Sequence, residues 1–204
     1  MATELEPYDS GHTDPTIATS SAAPMGADAG GHPASLRNYA VVWEDKLTRS
    51  GISRDKAGWQ WLWDQGVKSI VTLREENDVD YSQFGFEQVL RIPLGDKPPD
   101  LPSDEQAERF LRFIQDPPNQ PVHVHCGKGK DRTGMMIALA RYSVDGWPMD
   151  QALAEARVYR GGKDLLAVQA KWLNRWAARH PPGSYRLKQW PSRGRRGSDE
   201  KNGH

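Results

Sequence analysis

Between about Tyr39 and His180, short apolar runs alternate with amphipathic stretches, the pattern of a folded α/β domain. Residues 41–43 suit a short strand. Residues 56–65 read as a helix, with Trp59, Leu62 and Trp63 at spacings of three and four and Gly66 where a terminating glycine belongs. Residues 68–73, KSIVTL, are β-branched and apolar and predict a buried strand; residues 86–92 predict the next. Ser103 precedes a helical run in which Ala107, Phe110, Leu111 and Ile114 share one face, with Asp104 and Glu105 at its positive end. Pro117-Pro118-Asn119 stops it. A strand is expected at 122–125 and an apolar helix at 133–142. Two more helices are expected at 149–159 and 163–178, separated by Gly161-Gly162. Most of the eight tryptophans fall on these helices, where packing anchors are the expectation.

The flanks differ from this middle. Residues 1–38 are rich in Ala, Ser, Thr, Gly and Pro, carry a net charge of −4, and hold too few large apolar side chains to offset backbone ordering. They are read as a disordered N-terminal segment, with the folded domain at 39–180. Residues 181–204 carry a net +4 and read as a basic flexible tail suited to an acidic partner. The whole chain of 204 residues is formally neutral, which disfavours a nucleic-acid binder; none is expected as partner. No apolar run approaches the roughly 20 residues that span a bilayer, and the N-terminus lacks an export pattern. A single cysteine forms no internal disulfide, and a cytoplasmic location is expected.

That cysteine lies in the most informative stretch, Val124-His125-Cys126-Gly127-Lys128-Gly129-Lys130-Asp131-Arg132-Thr133-Gly134, between the predicted strand and helix. The N-terminus of a helix offers unpaired N–H groups and a positive dipole end, which favour a thiolate and form a nest for an anion. Gly127 and Gly129 let the backbone turn inward. Lys128 and Lys130 add positive charge, and Arg132, six positions after Cys126, can grip two oxygens through its planar fork. A nucleophile, an anion nest and a bidentate guanidinium on one point describe phosphoryl transfer to sulfur. Thr133 is placed to hydrogen-bond the departing thiolate. His125, pointing to the opposite face of its strand, is assigned to supporting the loop.

Other motifs fail on the letters. After Gly129 and Gly134 come Met135-Met136 instead of the Lys-Ser/Thr of a nucleotide-binding loop, and no third glycine completes a dinucleotide fingerprint. His123 and His125 share a strand face but have no acidic or histidine-rich partner cluster, so no metal and no cofactor is expected.

The Cys-x5-Arg-Thr loop after a histidine resembles the signature of the cysteine-based protein tyrosine phosphatase superfamily. Further segments are similar to the atypical dual-specificity phosphatases: Glu44-Asp45 with Arg49-Ser50-Gly51, the run 66–74, and Ile92-Pro93-Leu94-Gly95-Asp96-Lys97-Pro98-Pro99. The resemblance covers about residues 40–160. It implies a cysteine phosphatase fold, a small central, mostly parallel sheet flanked by helices. It also implies a general acid, an aspartate on a mobile loop upstream of the cysteine; Asp96 fits, with Asp100 as the alternative. Asp131 is read as a salt-bridging or lysine-orienting carboxylate. The expected activity is hydrolysis of phosphate monoesters through a phosphocysteine, on a phosphorylated protein in the first reading. Lys128 and Lys130 leave open a phosphoinositide or an inositol (pyro)phosphate, and a binding module without turnover is the distant rival.

Overall fold

The computed structural model describes residues 31–95 and 100–187. Residues 1–30 and 188–204 of the expected flanking segments, and Asp96 with its three successors, lie outside the described residues.

Five strands form one sheet in the order β1-β2-β5-β3-β4: β1 (Ala40–Trp43), β2 (Leu47–Gly51), β3 (Ser69–Arg74), β4 (Gln88–Leu94) and β5 (Val122–Cys126). Among the described residues, β1 and β2 pair antiparallel, and β2, β5, β3 and β4 run parallel. The helices are α1 (Lys56–Asp64), α2 (Asp104–Phe113), α3 (Asp131–Ala140), α4 (Met149–Tyr159) and α5 (Ala167–Ala177).

The two faces of the sheet follow from side-chain alternation along its strands. On β5, Val122, Val124 and Cys126 join the larger core with Val71 and Leu73 of β3, under α2, α3 and α5. His123 and His125 point the other way, towards α1, where Trp59, Leu62, Ile70, Tyr81 and Phe86 form a second cluster. A sheet covered on both faces explains why its central strands are buried throughout.

Local signals act as expected at several ends. Ser103 and Gln106 make a reciprocal capping box on α2, which satisfies two N–H groups that the first turn leaves over. Gly66 takes a left-handed φ of 82° just past α1 and donates its N–H to Trp63 O at 2.8 Å. Trp176 of α5 is fully buried, and its indole N–H is satisfied by Ser143 Oγ at 3.0 Å.

Four elements depart from expectation. The strand expected at 86–92 is β4 (Gln88–Leu94), two residues later, because Phe86 N–H closes the preceding turn on Tyr81 O. The apolar helix starts at Asp131, two residues before the expected 133, and continues through a wider turn, Arg141–Asp145, to Gly146. The last helix starts at Ala167, not at 163: buried Leu165 packs towards Gly134 of α3, and Leu166 stays extended while its carbonyl accepts the N–H groups of Gln169 and Ala170. Strand β2 has no counterpart in the hydropathy reading because its buried side of LTRSG is mostly polar.

The packed region also reaches beyond 39–180. Leu36 is fully buried in the second cluster. At the other end, Tyr185 packs on the main core, and Arg186 donates to the carbonyls of Val144 and Asp145. Among the described residues, no helix is long and apolar enough to cross a membrane.

Candidate active site

Strand β5 ends at Cys126, and the chain turns through residues 127–130 into α3, so the thiol sits at the C-terminal edge of the parallel strands. Cys126 is 2% exposed and lies on the wall of a cavity of about 920 Å³. Gly127, Lys128, Asp131 and Arg132 line the same cavity, together with Arg54, Arg74, Gly95, Asp100, Arg160 and Gln169.

The loop is held from behind by its carbonyl oxygens. Ile52 N–H donates to Cys126 O at 2.7 Å, and the Asn38 side-chain amide donates to Lys128 O at 2.9 Å. Arg49 donates through Nη2 to Gly129 O. In a planar trans peptide, the C=O and the following N–H point in opposite directions. Tying these oxygens to the β2 side therefore turns the N–H groups of Gly127, Gly129 and Lys130 the other way. Gly129 adopts φ +67°, and a Cβ there would lie 2.4 Å from the nitrogen of Gly51, so only glycine fits.

Arg132, in the first turn of α3, is largely buried, and its Nη1 donates to Leu94 O at 2.7 Å. One edge of its guanidinium is thereby fixed to the end of β4, orienting the fork. Thr133 is fully buried, with its hydroxyl unpartnered among the described residues. The exposed side chain of Lys128 stands at the rim, and Lys130 caps α3, its carbonyl accepting Gly134 N–H at 2.8 Å. Asp131 pairs with Arg160, at the end of α4, at 2.7 Å, so of its two expected roles the salt bridge is the one observed, and its partner is no loop lysine.

His125 lies behind the site, fully buried, its Nε2 in a hydrogen bond with the Tyr81 hydroxyl at 2.9 Å. Burial is the main cause that pulls its pKa down to about 3, so the ring is neutral at physiological pH. His123 engages Thr48 Oγ1 at 2.9 Å and Ser50 Oγ at 2.8 Å, one with each ring nitrogen, and burial likewise holds its pKa well below 6.5. Among the described residues, no group of three or more His, Cys, Asp or Glu could hold a metal ion.

Asp100 reaches the cavity, and its carboxylate accepts the N–H of Gly95, the last described residue after β4. Asn38, Arg49, Arg160 and Gln169 were not among the expected site residues. The Arg49-Ser50-Gly51 string carried the only signal for Arg49; the other three sit in local sequence without distinguishing pattern.

Residues 43–174 match the family described as the DSP-PTPase phosphatase fused to NAD+ kinase. Inositol diphosphatase DSP3 of Arabidopsis thaliana is 29% identical over 149 residues, covering 65% of this chain and 69% of that protein. Probable NAD kinase 2, chloroplastic, of Oryza sativa subsp. japonica is 34% identical over 88 residues, 40% of this chain and 9% of that protein. The crystal structure of the core catalytic domain of the PP-IP phosphatase SIW14 from S. cerevisiae shares the fold, with a TM-score of 0.59 at 20% identity, covering 76% of this chain and 98% of that one. With its loop, its sheet order and this match over most of the folded region, the chain belongs to the DSP-PTPase family of cysteine-dependent phosphatases.

Proposed function

We propose that Cys126 attacks the phosphorus of a phosphate monoester, with protein phosphotyrosine and phosphoserine or phosphothreonine esters as the substrates of the first reading. The observation that carries this is the tied-back loop: a buried thiol stands at the head of a turn whose carbonyls are held by Asn38 and Arg49, on the wall of a cavity that Arg132 also lines.

In the first step the Cys126 sulfur forms a bond to phosphorus as the ester P–O bond breaks. Asp96 gives its proton to the leaving oxygen, which departs as an alcohol or phenol. The loop amides and Arg132 stabilise charge on the equatorial oxygens. In the second step water attacks phosphorus, its proton passes to the Asp96 carboxylate, the S–P bond breaks, and the Thr133 hydroxyl donates to the departing thiolate. Two features support these roles. The Asp100 carboxylate is already engaged by Gly95 N–H, leaving proton transfer to Asp96, and the Thr133 hydroxyl has no other described partner. His125, held by Tyr81 on the opposite face of β5, is assigned to supporting the loop from the strand and, being neutral, adds no charge beside Cys126.

A second reading has its own observation. Arg54 and Lys128 line the cavity without an ion-pair partner among the described residues, and the cavity far exceeds one phosphate. That suits a substrate bearing several phosphates, a phosphoinositide or an inositol (pyro)phosphate, and is in line with the relatives named inositol diphosphatase and PP-IP phosphatase.

One assay series tests both. Phosphate release from phosphotyrosine peptides and from inositol polyphosphates is measured side by side for the native chain and for Cys126→Ser. Cys126→Ser is expected to abolish release while still binding orthophosphate; near-native turnover by that variant would end the covalent mechanism. A preference for inositol polyphosphates that vanishes in the Arg54→Ala/Lys128→Ala double variant selects the second reading.

A further inference from the structure

Arg49 is the most deeply buried charge of the fold, 1% exposed, on the third position of β2. Its guanidinium stacks on the ring of Tyr159 in α4 at 3.7 Å, and Nη2 reaches Gly129 O. Nε and Nη1 have no hydrogen-bond partner among the described residues. Burying a cation with unsatisfied donors is unfavourable relative to an apolar side chain that would fill the same space. Stacking on Tyr159 alone would be served by a leucine or methionine, so the guanidinium answers to something other than packing.

Two things distinguish it from an apolar filler. It is a donor aimed at one loop carbonyl, and it is a positive charge on the loop's inner side. In the β2–β5 register Arg49 lies opposite Val124 and Gly51 opposite Cys126, so the Arg49 side chain falls on the same face of the sheet as the thiol, within electrostatic range of it. Burial pulls the Arg49 pKa down to about 10, which leaves it charged at neutral pH.

We infer that Arg49 is a positioning residue of the phosphatase site: from behind the loop it fixes the Gly129–Lys130 peptide with its N–H turned to the substrate side, and supplies a buried countercharge to the Cys126 thiolate. The inference rests on the phosphocysteine reading of the site. The other charged or titratable groups around Cys126 are Arg132 and Asp131 of α3, with Arg160 on Asp131; Lys128 and Lys130 of the loop; Arg54, Arg74 and Asp100 of the cavity wall; Glu155 and Tyr159 of α4; and His125 on the opposite face. Glu155, the carboxylate on this side of α4, is held by Arg141 at 2.9 Å and forms no ion pair with Arg49.

Three variants separate the donor from the charge. Arg49→Gln keeps an amide to donate to Gly129 O and loses the charge; Arg49→Lys keeps the charge and loses the fork; Arg49→Met loses both. The readouts are the rate of iodoacetamide alkylation of Cys126 at neutral pH, followed by mass spectrometry, and inhibition by orthovanadate, with folding checked by circular dichroism. Arg49→Gln and Arg49→Met are expected to slow alkylation about tenfold. Arg49→Lys is expected to keep the alkylation rate while weakening orthovanadate inhibition about tenfold. An unchanged alkylation rate in either folded neutral variant overturns the inference. Should neither neutral variant fold, Arg49→Lys decides alone: a tenfold slower alkylation or unchanged vanadate inhibition overturns it, and a retained rate with weakened vanadate inhibition upholds it. Failure of the underlying phosphocysteine reading shows separately, as native turnover that survives Cys126→Ser.

Discussion

Gly51 and Gly129 meet back to back, so closely that a Cβ on Gly129 would lie 2.4 Å from Gly51 N and one on Gly51 would lie 2.9 Å from the carbonyl carbon of Lys128. The end of β2 and the turn that follows Cys126 are thus one packed unit, although 78 positions separate the two residues.

Gly129→Ala should therefore fail twice. The left-handed φ of 67° costs an alanine about 1–2 kcal/mol. The clash with Gly51 N involves backbone on both sides and is relieved only by moving the loop. We expect a loss of more than about 2 kcal/mol in urea unfolding and at least a hundredfold drop in kcat/KM. A variant with native turnover would mean that the loop tolerates a different backbone path.

The two candidate acids part on leaving-group dependence. Asp96→Ala should slow an alkyl or tyrosyl phosphate by about 10²–10⁴, and an ester with a very acidic leaving group far less. Asp100→Ala removes the acceptor of Gly95 N–H and should slow both kinds of ester alike, by loosening the loop. The opposite pattern would give the proton to Asp100.

The buried histidines set a stability profile in mild acid. His125, at about 3, and His123, well below 6.5, are neutral in the folded chain, whereas both take up protons near pH 6.5 once unfolded. The unfolded state binds more protons in this window, so stability is full above about pH 6.5 and falls as pH drops towards 3, by roughly 1 kcal/mol per histidine per pH unit. Denaturant midpoints should hold between pH 7.5 and 6.5 and decline from there to pH 5, and His123→Gln should flatten that slope. A flat native profile would place solvent at these rings.

Much of this site is written locally. Cys126, Gly127, Gly129, Arg132 and Thr133 lie within eight consecutive positions, and a strand followed directly by a helix is enough to converge them, because the start of a helix presents its N–H groups wherever it lies. The same holds for the Ser103 capping box and for the termination of α1 before Gly66, which need only neighbours in sequence.

What the local pattern lacks is whatever was brought from a distance. Strand β2 lies between β1 and β5, yet it places Arg49 and Ser50 inside, polar residues that hydropathy assigns to the surface; they are tolerated there because Gly129 O and His123 receive them. Asn38 reaches Lys128 across 90 positions, and Arg160 reaches Asp131 from the far end of α4. The sequence by itself determined which groups share one turn with Cys126, since their spacing there is a short-range property. Only the tertiary structure decided which way the loop faces, because its carbonyls are turned by donors that become neighbours only after the sheet has closed around them.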